Sequence, residues 1–205
     1  MLKRMTTKRA ALGFRAHSGW AVMVAVGGSA EAPEVILRRR LVIADPNLAG
    51  SKQPYHAAEP MAFPDAEAFI NRCADSTRTM AKKAVRDAVA ELTGMGFAMA
   101  GSCVLLGSGR PVGDLAKILS SHPLIHTAEG EFYRNALKQA CESCGLAFSG
   151  VKERELMGQA AAGLGIRAAE IENRVSQLGR TLGPPWRQDE RLSAIAAWIV
   201  LADQH

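Results

Sequence analysis

The sequence predicts an α/β fold, a mixed sheet of three antiparallel strands and two further strands flanked by helices. Three observations carry that prediction. Residues 8–43 hold three stretches rich in apolar and β-branched residues, separated by short glycine-containing breaks. Phe97 to Gly107 (FAMAGSCVLLG) is a continuous apolar run bounded by glycines, which at this length fits a strand buried on both faces. Beyond Glu153 the chain carries helical periodicity only.

Lys8 to Ala16 and Trp20 to Gly27 flank His17-Ser18-Gly19, a polar break that suits a tight reversal, so the two stretches form a hairpin. Glu34 to Ile43 (EVILRRRLVI) follows, with apolar ends around three arginines, as a strand partly exposed in its middle. Asp45-Pro46 opens a long connection to Pro64, of a length that packs as a functional or Ω-type loop. Within it, Tyr55 and His56 either contact a ligand or anchor the loop on the core.

Pro64-Asp65 starts a long helix through Leu92. Phe69, Ile70, Cys73, Met80, Ala84, Val85, Val89 and Leu92 recur at helical spacing, Ser76-Thr77 offers a point for a break, and Gly94 and Gly96 end it. Phe97 to Gly107 is then a central strand. The turn Gly107-Ser108-Gly109-Arg110-Pro111 leads to a short helical piece at Asp114 to Leu119. A second clear helix spans Glu129 to Ser143, with Thr127 placed to cap it and Glu129 and Glu131 in the first turn, where negative charge complements the helix dipole. Leu146 to Lys152 is a last short strand.

Glu153 to Leu164, Arg167 to Leu178 and Asp189 to Asp203 form closing helices, punctuated by Gly163, Gly165, Gly179, Gly183, Pro184 and Pro185. Trp186 is placed to anchor the last of them, which is nearly all apolar and packs deep against the sheet. The chain reads as one domain, 1–205, in which 153–205 is a helical part lying on the sheet.

A formal charge of +5 permits attraction to nucleic acid or another anionic ligand. The basic clusters are short (Lys3, Arg4, Lys8 and Arg9; Arg38 to Arg40; Lys82 and Lys83; Arg187 and Arg191) and equally suit a solvated face. No secretory pattern and no membrane-length apolar run occurs, so a cytoplasmic protein with reduced thiols is expected, and no membrane partner. Cys141 and Cys144 form a lone CxxC with no second pair, and read as structural cysteines.

This order of strands and helices is similar to that of the ribonuclease-H-like superfamily, nearest to its Holliday-junction-resolvase branch. Leu12-Gly13-Phe14-Arg15 followed by Gly19-Trp20-Ala21 resembles the branch's opening, where a Gly-aliphatic-Asp step precedes a Gly-x-Ala that begins strand two. Val151-Lys152 and the Ala-rich helix after Asp189 resemble later elements. The resemblance covers nearly the whole chain and implies a three-layer fold. It also implies a chemistry in which carboxylates clamp two divalent cations, one carboxylate standing in the middle of strand one. Here that position is Arg15, whose permanently charged guanidinium has no lone pair to donate and repels a cation. The end of strand four offers Gly107, Ser108 and Arg110, and the last helix offers Asp189 and Glu190, with Leu192 or Ser193 where a second carboxylate would fall. A standard two-metal nuclease is therefore not expected, and neither a metal nor a cofactor is.

In such a fold the ends of strands one, four and five lie close together. Arg15, His17, Ser18, Ser108, Arg110, Lys152 and Glu153 would then line one ligand-binding groove. Arginines beside the N–H groups of a Gly-Ser-Gly turn suit phosphate or carboxylate, although the turn lacks the Gly-Lys-Ser/Thr ending of a Walker loop. His17-Ser18 is not a nucleophile–base pair, because adjacent strand residues point to opposite faces. His122, His126, Glu129 and Glu131 form a second set of acid/base or ligand candidates, with Pro123 arguing against the two histidines sharing a helix face.

Three functions remain open to the sequence. The first is a catalytically diverged ribonuclease-H-like domain binding nucleic acid or a protein partner. The second is an enzyme that clamps a small anionic substrate with Arg15 and Arg110 and uses His126 with Glu129 or Glu131 as acid/base. The third is an oligomeric assembly subunit.

Overall fold

A computed structural model describes residues 8–109, 113–180 and 182–203. Arg110, one of the groove residues expected from sequence, lies outside the described residues.

Strands β1 (Lys8–His17), β2 (Trp20–Gly28) and β3 (Pro33–Val42) form an antiparallel meander. On the other edge of β1, β4 (Phe97–Leu106) runs parallel to it and β5 (Phe148–Lys152) parallel to β4, giving the order β3-β2-β1-β4-β5. The hairpin turns on Ser18-Gly19, where Gly19 takes φ 84°, a conformation that only glycine adopts at no steric cost. His17 and Trp20 therefore face each other directly across the two strands.

Alternation along β1 divides the core into two. Leu12 and Phe14 join Met23 under α2 (Phe63–Gly94) and α4 (His122–Ser143), where Val85, Leu92, Tyr133 and Leu137 close the layer. Ala11 points the other way and joins Val22, Val24, Cys103 and Val151 beneath α5 (Leu156–Leu164), α6 (Ala168–Arg180) and α7 (Gln188–Ala202). Helices thus cover both faces of a mixed five-stranded sheet. No helix among the described residues is long and apolar enough to cross a membrane.

Gly13 lets α7 lie directly on β1. A Cβ built there would stand 1.9 Å from the Ser193 carbonyl oxygen and 2.7 Å from the Ala197 nitrogen, both helix backbone. Ser193 is fully buried and donates its hydroxyl to the Val22 carbonyl at 3.3 Å. Trp186 anchors the segment before α7 by lying on Gly179 and donating Nε1 to the Val175 carbonyl at 2.9 Å.

Several elements depart from the sequence reading. Helix α4 begins at His122, not Glu129, because Pro123 sits in the first turn, where a missing N–H breaks no helical hydrogen bond. Thr127 is consequently not a cap, and its hydroxyl donates to the Pro123 carbonyl one turn back at 3.1 Å. Helix α2 is unbroken at Ser76-Thr77, since Thr77 is buried on its inner face and the Ser76 hydroxyl donates to Asp45 Oδ2 at 3.1 Å. The long connection contains a short helix, α1 (Pro54–Ala58), whose Ala58 packs with Ala66, Phe69, Ile70 and Cys73, and the Tyr133 hydroxyl donates to the Ser51 carbonyl. A further short helix, α3 (Leu115–Leu119), is capped by Asp114, which accepts from the Lys117 N–H at 2.9 Å. A 3-10 turn, Glu153–Glu155, precedes α5. Cys141 is buried, its thiol pushed up to about 12 chiefly by that burial, which suits a core residue rather than a nucleophile, while Cys144 is half-buried.

Candidate functional site

The parallel strands β1, β4 and β5 end on one edge of the sheet, the edge where open α/β sheets place their ligands. Arg15 and His17 lie two positions apart on β1, on the face where Gly13 meets α7. The first turn of α7 brings Asp189 over them, and the 3-10 turn after β5 brings Glu153.

These four side chains form one network. Arg15 grips Glu153 with two prongs, Nε donating to Oε2 at 3.0 Å and Nη2 to Oε1 at 2.9 Å. Its Nη1 donates to Asp189 Oδ1, and His17 Nε2 lies 3.1 Å from that same oxygen. The paired fork is the geometry that makes arginine stronger than lysine toward a carboxylate. Side-chain exposure is 20% for Arg15, 23% for Asp189 and 40% for Glu153, so the Asp189 contact is the better shielded from solvent.

Burial works to raise the Asp189 carboxyl. The hydrogen bond from Arg15, the charges of His17 and Arg15 and the hydrogen bond with His17 together outweigh it and hold Asp189 below its ordinary value. For Arg15, burial works against the charged form, but hydrogen bonds to Glu153 and Asp189 and the charges of both carboxylates raise it above its ordinary value.

A stack of three side chains adjoins the network. The Trp20 ring lies on His17 with centroids 4.1 Å apart and planes at 12°, and the Arg40 guanidinium sits 3.9 Å from the indole centroid. Because β1 and β3 flank β2, the indole is held between an imidazole and an exposed guanidinium. The stack opens on a cleft of about 560 Å³ that Arg38, Arg39, Arg187 and Asp189 also line. Arg38 donates to the carbonyls of Gly183, Pro184 and Pro185, holding the segment before α7, and Arg39 pairs with Glu91.

Of the groove expected from sequence, the structure unites Arg15, His17 and Glu153. Ser18 is exposed in the hairpin turn, Ser108 is exposed beyond β4, and Lys152 pairs with Glu155 at 3.7 Å. Among the described residues none of these three bonds to the Arg15 network. The second candidate set lies elsewhere, on α4. Glu131 pairs with Arg134 at 3.1 Å, Glu129 is buried against the backbone of α1, and His126 lies against His122 and His56. No hydrogen bond or ion pair among the described residues joins this set to Arg15. From sequence Trp20 is only the start of the second strand and Arg40 only part of a basic cluster; the two-residue turn after His17 is what places Trp20 opposite it.

No family model matches the sequence, and no curated protein matches it. Solved structures do match. Thermus thermophilus RuvC in complex with Holliday junction substrate gives a TM-score of 0.53 at 8% identity, covering 93% of this chain and 91% of that one. A second structure of Thermus thermophilus RuvC gives 0.53 at 10% identity, covering 93% and 92%. The fold is ribonuclease-H-like.

The residues present do not fit the paired divalent cations that such a fold implies. A guanidinium occupies the strand-one position among the carboxylates, and Ser193, near which a further ligand would come from the last helix, is buried and bonded to the sheet. Asp189 and Glu153 already have a cation, and it is covalently part of β1.

Proposed function

We propose that this chain is a catalytically diverged ribonuclease-H-like domain that binds nucleic acid. The observation that carries the reading is the Arg15 guanidinium held between Glu153 and Asp189. It does for those carboxylates electrostatically what a bound cation does, masking charge that would otherwise repel a phosphate backbone, but it cannot coordinate and activate a water.

The neighbouring stack supplies the attraction. A guanidinium seated over an indole is held by the ring and still has N–H donors to offer a phosphate, and Arg40 is exposed beside a cleft lined by Arg187. The net charge of +5 has the sign this requires. The RuvC of similar fold is described in complex with a Holliday junction substrate, which supports DNA as the class to test first.

The test is binding of the full chain to labelled four-way-junction, duplex and single-stranded DNA across a salt series, with cleavage followed in Mg²⁺ and Mn²⁺. Affinity should fall steeply as salt rises, and Arg40→Ala should weaken binding and reduce the salt slope by about 1, the change that loss of one phosphate contact produces. Strand cleavage would overturn the diverged reading. Absence of binding to every DNA at low salt would overturn the nucleic-acid reading.

A further inference from the structure

At the opposite end of the chain's chemistry stands a group that neither the fold nor the Arg15 network uses. His122 and His126 project from the first turns of α4 one helical turn apart, with their Nε2 atoms 3.2 Å from each other. His56 of α1 completes the group, its ring centroid 5.3 Å from that of His122 and 4.7 Å from that of His126. One ring nitrogen from each of the three lies within 4.8 Å of the other two.

We propose that His56, His122 and His126 bind a transition-metal cation of the zinc class, with a solvent molecule as fourth ligand. Metal–nitrogen bonds of about 2.0–2.1 Å in a tetrahedron set ligand nitrogens roughly 3.3 Å apart, the spacing that His122 and His126 already show. The third nitrogen, on His56, lies within 4.8 Å of the other two, and binding would draw it in to the same distance.

The surrounding carboxylates argue for a ligand rather than for ring packing. Glu129 Oε1 lies 3.2 Å from His56 Nδ1, and Glu59 Oε1 lies 3.6 Å from His122 Nδ1. A carboxylate on Nδ1 fixes the tautomer and leaves the Nε2 lone pair pointing outward, which is how metal-bound imidazoles are held. Glu129 is also buried, and its Oε2 has no hydrogen-bond partner. A buried carboxylate with one oxygen unsatisfied is costly unless positive charge stands nearby, and a cation on His56 supplies it. His122 and His126 are exposed, so contact between their rings removes little surface from water and is a poor reason for three imidazoles to converge.

All-nitrogen ligation selects against Mg²⁺ and Ca²⁺, which prefer oxygen, and favours Zn²⁺ and its neighbours. Binding would also clip α1, in the long connection between β3 and α2, to the start of α4.

The experiment is calorimetric titration of the untagged full chain with Zn²⁺, with Co²⁺ as a spectroscopic probe and Mg²⁺ as control. The wild-type chain should take up one equivalent of Zn²⁺, show the strong visible absorption of tetrahedral Co²⁺, gain thermal stability with Zn²⁺, and give no Mg²⁺ binding at this site. His122→Ala and His126→Ala should each abolish the visible band and the zinc-dependent stabilisation. Both positions are exposed, so their zinc-free unfolding should match the wild type, which separates lost binding from lost folding. Glu129→Gln should weaken zinc affinity by about 10–100-fold. The proposal is overturned if the wild type takes up no zinc, or if the two histidine variants bind it as tightly as the wild type.

Discussion

Replacing Arg15 by aspartate inverts the charge at the centre of the strand-end network. The guanidinium donates three hydrogen bonds to Glu153 and Asp189, and the variant removes all three while adding a third carboxylate. Exposed ion pairs contribute about 0.2–1 kcal/mol and breaking a buried pair costs about 3–5 kcal/mol. With side chains 20% and 23% exposed, the Arg15–Asp189 pair falls between these limits, while Glu153, at 40%, is screened and adds little. Loss of the arginine should therefore cost about 1–2 kcal/mol, and the new like-charge repulsion roughly as much again. For a chain of this length, about 2–4 kcal/mol lowers Tm by roughly 5–15 °C. The assay is thermal and urea unfolding at neutral pH, with and without Mg²⁺ or Mn²⁺. If the three carboxylates hold a divalent ion with Kd of about 1 mM, then about 10 mM of it should restore about 1.4 kcal/mol to the variant. The wild type should show no such response. An Arg15→Asp chain as stable as wild type and indifferent to divalent ions would refute the electrostatic account.

Asp189→Asn tests the same network by pH. Because the Asp189 carboxyl is held below its ordinary value in the folded chain, its stabilisation is present above the unfolded-state value and disappears as pH falls. The stability gap between wild type and Asp189→Asn should accordingly be open at pH 7 and close below about pH 4 in urea unfolding at stepped pH. A gap unchanged into strong acid would contradict the assignment. Gly13→Ala should destabilise the fold by about 2–3 kcal/mol, because the new methyl meets α7 backbone that cannot move without lifting off the sheet. Chemical denaturation measures it, and a neutral result would mean that α7 does not ride on β1 as described.

The strands were legible because their signals are local. A short polar reversal at His17-Ser18-Gly19, a glycine-bounded apolar run and β-branched residues each declare themselves within a few positions, and the structure bears them out within one or two residues for β1 to β4. Helix α4 shows how a local signal misleads. Pro123 reads as a breaker in isolation, yet in the first turn it breaks nothing, and the corrected start is what places His122 and His126 on one face. The side-chain network carries no such signal, and in the histidine cluster only His122 and His126 do. Arg15 meets Asp189 across 174 positions, and His56 meets Glu129 across 73. Arg15 stood out only because a resemblance assigned an aspartate to its place, and nothing nearby in sequence named its partners.

The charge balance around Arg15 decides where an anion can be attracted. One guanidinium faces two carboxylates, so the network keeps a negative charge in excess, and a phosphate finds its attraction on the Trp20–Arg40 side of the cleft. Arg15 and Arg40 then support nucleic-acid binding in different ways, the first by masking carboxylates and the second by contact. Arg15→Ala should weaken DNA binding because it unmasks Asp189 and Glu153, and adding Asp189→Asn should recover part of that loss by removing one of the exposed charges. Arg40→Ala should gain less from Asp189→Asn than Arg15→Ala does, since with Arg15 in place Asp189 is still masked and the main loss is a missing contact rather than a new repulsion. Binding isotherms of the four variants at one low salt concentration distinguish the two roles. Equal rescue of both arginine variants, or of neither, would mean that Arg15 does not act through its carboxylates, and the masking argument would fall with it.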